Sequence, residues 1–152
     1  MKKIVKIGLL IISIVLISGC TSKAITAEEF KERLTSAYYR VEEKDEHIDS
    51  SILTKEYAAI SNTGNYEIIF YEFVKEKNAK EYFSILNYLA KDDAKRKIID
   101  QEDIEIDNNK KLVINTYDTY YYIVRSKNTV IYAETYISYK EEVNAVIQDL
   151  GY

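Results

Sequence analysis

The chain has 152 residues, with 21 Lys and Arg against 25 Asp and Glu, a net charge of −4, no proline or tryptophan, and 15 tyrosines. That length allows one domain with a core of its own, and the acidic balance disfavours nucleic-acid binding. A single cysteine excludes an intrachain disulfide, and a lone histidine without Cys or His companions does not make a transition-metal site.

The first twenty residues have the three parts of an export signal. Lys2, Lys3 and Lys6 lead into an apolar run with two serines, Ile7 to Ser18, which ends in Gly19 and Cys20. The run is shorter than the roughly 20 residues needed to span a bilayer. Leu16-Ile17-Ser18-Gly19-Cys20 resembles the lipobox of bacterial lipoproteins, with small residues before the one cysteine of the chain. The lipobox position three before the cysteine is usually Leu, and here it is Ile17. The resemblance implies cleavage between Gly19 and Cys20, with a diacylglyceryl group on the Cys20 thiol. Residues 1–19 are then the removed signal, 20–25 the lipidated cysteine and a short tether, and 26–152 a single domain. Two acyl chains meet the condition for stable anchoring, so the expected location is the extracytoplasmic face of the cell membrane. Loss of the three signal lysines leaves 18 Lys and Arg against 25 Asp and Glu, a net charge of −7. Anionic lipid gives such a domain no overall attraction.

Thr21 to Ile25 form the tether, with a reach of roughly 17 Å when extended. Thr26-Ala27-Glu28-Glu29 reads as a capping box opening a helix over 27–38, with Ile25 placed to staple against Phe30. Tyr39 to Glu42 reads as a strand running into a polar stretch that contains His47. Lys55 to Ser61 and Tyr66 to Val74 form a hairpin about the turn 62–65, and bulk on both faces of the return strand predicts a covered central strand. Asn78-Ala79-Lys80-Glu81 resembles a capping box, and Ala79, Tyr82, Phe83, Leu86, Leu89 and Ala90 make one helical stripe.

Glu102 to Asp107 alternates, with Asp103, Glu105 and Asp107 on one side. Such a row offers oxygen ligands to a hard cation, but no Asp-x-Asp-x-Asp-Gly loop is present, so a charged edge-strand face is expected and no metal. Strands follow at Lys111 to Thr116, Thr119 to Arg125 and Val130 to Tyr136. Ser138 to Glu141 opens a last helix with Val143, Val146, Ile147 and Leu150 inward, stopped by Gly151, with Tyr152 folding back on Ile147.

The expected fold is α+β: an antiparallel sheet of about five to six strands with three helices packed mainly on one face, in the order α-β-β-β-α-β-β-β-α. The Asn128-to-Tyr132 strand and the Leu150-Gly151-Tyr152 end resemble small lipoproteins of low-GC Gram-positive bacteria. That source fits a composition rich in Lys, Ile, Asn and Tyr, and the resemblance implies no particular chemistry. The chain holds no phosphate loop, nucleophile elbow or His-Glu-x-x-His. An enzyme is therefore not expected, and no cofactor beyond the diacylglycerol on Cys20. A row of tyrosines, Tyr120, Tyr122 and Tyr132, is the candidate binding face, because an open tyrosine row stacks on sugars or anchors a protein. The expected function is a binding or interaction module acting near the outer leaflet on a membrane-protein or envelope partner. A small carboxylate-dependent envelope hydrolase is the alternative.

Overall fold

The computed structural model describes residues 24–44, 48–95, 97–106 and 108–152. Gly19, Cys20, His47 and Asp107 fall outside the described residues. The elements are helix α1 (Ala27–Ser36), strands β1 (Arg40–Glu43), β2 (Leu53–Ile60) and β3 (Glu67–Phe73), helix α2 (Glu76–Ala94), strands β4 (Asp100–Ile106), β5 (Asn109–Asn115), β6 (Thr119–Ser126) and β7 (Thr129–Tyr136), and helix α3 (Lys140–Asp149). The fold is α+β with three helices and strands grouped between them as expected. The sheet has seven strands rather than five or six, in the spatial order β1-β2-β3-β7-β6-β5-β4, and every pairing is antiparallel.

Two meanders thus meet at one seam, β3 against β7. Connectivity decides where the helices lie. The chain leaves β3 at the seam and must re-enter at β4 on the far edge, so α2 crosses over β7, β6 and β5. On that face Ala79, Phe83, Leu86, Ala90 and Ala94 of α2 bury Leu112, Ile114, Tyr121, Ile123 and Val130. Helices α1 and α3 cover the opposite face, where Phe30, Leu34, Val143 and Ile147 pack on Tyr57, Ile68, Phe70, Tyr120, Tyr122 and Ile131. Helices packed mainly on one face are therefore corrected to helices on both. The central strand β6 carries bulk on both sides because both sides are core, and its residues from Tyr120 to Ser126 are buried.

The capping box at α1 is present: Thr26 Oγ1 accepts from the Glu29 amide at 3.2 Å, and the Thr26 amide donates to Glu29 Oε2 at 2.8 Å. Ile25 and Phe30 are buried in the same cluster, and Phe30 stacks on Phe70 with centroids 4.8 Å apart. Such a pair contributes about 0.5–1.5 kcal/mol beyond its buried area. The other two expected caps differ. Helix α2 starts at Glu76 after Lys75, and α3 starts at Lys140 after a single 3-10 turn over Ile137–Tyr139, each without a side-chain cap. The last stop is as expected: Gly151 has φ 95° and the Tyr152 amide donates to the Ile147 carbonyl at 3.2 Å.

Strand β4 is an edge, as its alternation implied, and its acids are held by lysines. Asp103 lies 2.9 Å from Lys91, Glu102 3.0 Å from Lys111, and Glu105 3.4 Å from Lys110. At the opposite edge, the turn after helix α1 holds Tyr38, which is 84% exposed with φ 66°. A left-handed tyrosine carries a Cβ penalty of about 1–2 kcal/mol that glycine avoids, at a glycine entropy cost of roughly 0.5–1 kcal/mol. Tyr38→Gly is therefore expected to raise stability by about 0.5–1 kcal/mol in urea melts.

The buried phenols set the alkaline limit of the fold. Burial pushes Tyr122 and Tyr152 up to about 12 from an ordinary 10.0, and it also raises Tyr71 and Tyr120. The unfolded chain loses these protons first, so their contribution is complete below pH 10 and is lost as pH rises through 12. The expected outcome is a cooperative alkaline unfolding starting above pH 10, with circular dichroism and tyrosinate absorbance changing together.

Candidate functional site

Helix α2 covers β5 to β7 and the Phe73 end of β3, and among the described residues no helix packs closely on the rest of that face near β1 and β2. Ile60, Ile69 and Tyr132 remain half-exposed there. The seam itself is short. β3 and β7 pair from Glu72–Thr129 to Ile69–Tyr132, four pairs, although β3 begins at Glu67 and β7 runs on to Tyr136.

Where the two strands part lies a cleft of about 420 Å³. Asn65, Glu67 and Ile69 form one wall; Thr119, Tyr132, Glu134, Thr135 and Tyr136 form the other. A second hollow shares Asn65, Glu67 and Glu134 and extends toward β1 through Arg40 and Ile60. On α2, Tyr82, Ile85 and Leu89 follow at helical spacing along one flank. Tyr82 packs on Tyr71 at 4.8 Å, and the next residue along that flank, Asp93, accepts from the Tyr121 hydroxyl, so the flank looks over β3 and β6. Ile85 and Leu89 stay exposed.

The chemistry of the cleft is mixed. Tyr132 lies half-buried on the floor and its hydroxyl donates to Glu134. Burial raises its phenol well above the ordinary range, and the bond to Glu134 adds to the shift. Tyr136 stands 69% exposed at the rim. Glu67 is 3.6 Å from Lys44. Two carboxylates, an amide and two threonines thus line the cleft with two tyrosine rings and an isoleucine. Such a set accepts hydrogen bonds from a hydroxyl-rich ligand while a ring packs on its apolar face.

The candidate tyrosines separate. Tyr132 belongs to the cleft. Tyr120 and Tyr122 are 1% and 2% exposed, on the other face, beneath α1 and α3. In the β6–β7 register Tyr132 lies opposite Ile123, whereas Tyr120 lies opposite Thr135, so the three tyrosines do not form one row. The core role of Tyr120 and Tyr122 removes them from any binding surface. Sequence reasoning missed Glu67, Glu134, Ile69 and Asn65 as neighbours. Their only signal was the alternation that put Glu67 with Ile69, and Tyr132 with Glu134 and Tyr136, on one side of each strand. Asp103 and Glu105 face their lysines, and among the described residues no three His, Cys, Asp or Glu side chains are grouped to hold a metal ion.

The Tyr132–Glu134 bond has a spectroscopic consequence. Glu134→Gln removes the charge beside the phenol, so Tyr132 is expected to titrate at lower pH than in the parent, while burial keeps it above the free value. Because that titration lies beyond the alkaline opening of the fold, the bond is read at neutral pH: the Tyr132 Cζ chemical shift is expected to move in Glu134→Gln, and an unmoved shift would show that the bond does not form in solution.

Comparison of the chain with protein-family models, with curated proteins and with solved structures gave no match.

Proposed function

We propose that the protein is an extracellular lipoprotein held to the cell membrane through Cys20, whose domain is a binding module with the β3–β7 cleft as its site. Support for the anchor comes from the targeting segment, with its basic start, short apolar run and Ser18-Gly19-Cys20 end. No described helix is long and apolar enough to cross a membrane. The observation that carries the binding reading is the cleft itself, an opening where the seam of the sheet comes apart around Tyr132.

Its donor and acceptor set suits a glycan segment of the envelope. A sugar ring packs its C–H face on Tyr132 or Tyr136, and its hydroxyls donate to Glu67, Glu134 and Asn65. A second reading rests on one specific feature: Glu67 and Glu134 line the same cleft, and paired carboxylates are the machinery of glycoside hydrolysis. The openness of the site argues against that role, since water and bulk dielectric weaken the electrostatic work asked of such a pair.

Both readings meet in one experiment. Full-length lipidated protein in detergent is titrated with cell-wall glycan fragments by calorimetry, and release of reducing ends is followed in parallel. The module predicts binding without turnover. Tyr132→Ala or Glu134→Gln is then expected to weaken it by roughly tenfold or more, the loss of a stacking or hydrogen-bond contact of about 1.5 kcal/mol. Turnover abolished by either Glu67→Gln or Glu134→Gln establishes the hydrolase instead. Neither binding nor turnover overturns the glycan assignment of the cleft. Intact-mass measurement of the purified protein tests the anchor separately, by a mature chain beginning at Cys20 and carrying a diacylglyceryl mass.

A further inference from the structure

The domain has two distinct ends, and the register of the sheet assigns every feature to one of them. The cleft lies at the Glu67 end of β3. The described chain begins at the other end. The Ala27 amide donates to Glu72 at 3.2 Å, Glu72 pairs with Thr129, and the Tyr152 hydroxyl lies 2.7 Å from Thr129 Oγ1. Tyr152 also makes a hydrogen-bond contact with the Ile25 backbone, and Ile25 is buried. The tether therefore reaches the fold beside Tyr152. Glu72 is five residue steps along β3 from Glu67, a distance of about 17 Å.

The tether end carries an apolar groove that the fold leaves open. Ile104, Ile106 and Tyr152 line a cavity of about 260 Å³ together with Val124, Asn109, Lys110 and Lys111. Ile106 is 64% exposed. The exposed Lys75 and Lys127 stand at the same end, before α2 and in the β6–β7 turn. Lys110 and Lys111 line the groove and pair with Glu105 and Glu102, and the buried Arg125 lies 3.8 Å from Glu76, so these three are matched by acids. The open apolar groove lies beside the point where the described chain begins.

We propose that this end, with Ile104, Ile106 and Tyr152 at its centre, rests on the lipid surface to which the chain is anchored. The proposal rests on the lipoprotein reading above and adds the orientation of the domain. The occupant follows from chain length. With the lipid on Cys20, the tether of roughly 17 Å at full extension keeps the Ile25 end within reach of the headgroups. The exposed Ile106, with the half-buried Ile104 and Tyr152 beside it, then enters the interface, while Lys75 and Lys127 reach phosphates. The cleft is held on the side away from the bilayer, open to ligands in the envelope.

The test uses the full lipidated protein in vesicles of equal parts phosphatidylglycerol and phosphatidylethanolamine. Lipidation consumes the Cys20 thiol, so an introduced cysteine is the one site open to labelling. Ile106→Cys and Tyr136→Cys each carry an environment-sensitive fluorophore, and both positions are exposed enough to bear it without disturbing the core. Lipid-borne nitroxides are expected to quench the Ile106 label roughly threefold or more strongly than the Tyr136 label, with a blue-shifted emission at Ile106 alone. Ile104→Cys gives the same reading should Ile106→Cys fold poorly. Equal quenching at the two ends, or stronger quenching at Tyr136, overturns the orientation. Intact mass of the vesicle-bound protein distinguishes the two failures. A diacylglyceryl adduct with equal quenching leaves the anchor standing and sinks the orientation, whereas absence of the adduct sinks the anchor and this proposal with it.

Discussion

Four residue pairs between β3 and β7 join one meander of the sheet to the other, and most of the molecule follows from how short that seam is. The β4-to-β7 meander is zipped over seven or eight pairs at each step and β2–β3 over seven, whereas the outermost β1–β2 ladder has four like the seam. A seam of four pairs cannot hold two twisting meanders parallel along their whole length, so the strands diverge past Ile69 and Tyr132. What bridges the halves as well is packing: α2, which lies on β5 to β7, sets Tyr82 on Tyr71 and Phe73 of β3. The cleft is the space left where neither ladder nor helix reaches.

The same topology explains why so much of the sheet surface is core. A crossing from the seam to the far edge commits α2 to one face. Helices α1 and α3, which flank the strands at the two ends of the chain, take the other. Tyrosine can serve in such a core because its ring packs while its hydroxyl reaches a partner. Tyr57 donates to Glu28 at 3.2 Å, Tyr121 donates to Asp93, and the Tyr39 and Tyr66 hydroxyls lie 2.6 Å apart. Part of the acidic surplus thus satisfies phenols at the rim of the core.

Local patterns were legible in the sequence, and long-range register was not. The Thr26–Glu29 cap and the Gly151 stop are decided within a few residues and are found; the stripe on α2 is found in Ala79, Phe83, Leu86 and Ala90, with Tyr82 half-buried and Leu89 exposed outside it. The starts of α2 and α3 moved because Lys75 and Tyr139 are placed by the strands that precede them, which a capping pattern does not record. The tyrosine row failed for a related reason. Alternation shows that Tyr120 and Tyr122 share a side, but only the tertiary crossing of the helices says whether that side meets water. Glu67 and Glu134 come together through a pairing between distant strands, and no local period in the chain points from one to the other.

The separation of the cleft from the end where the described chain begins follows from the direction of single strands. β3 runs from the cleft to that end, and β7 returns, so Glu67 and Glu134 lie at one end while Glu72 and Thr129 lie at the other. Any change that keeps this antiparallel pair keeps the two ends apart. The loop at 62–65 borders the cleft and carries Gly64 at φ 73°, with nothing within 4 Å of the position a Cβ would take. The turn is held by its own hydrogen bonds: the Gly64 amide donates to the Ser61 carbonyl at 2.9 Å, and Asn65 donates to Ser61 Oγ at 3.1 Å and to Thr63 Oγ1 at 3.0 Å. The wall of the cleft that includes Asn65 is therefore fixed by local bonds within the turn, while Tyr132, locked into the ladder opposite Ile69, is fixed by the seam.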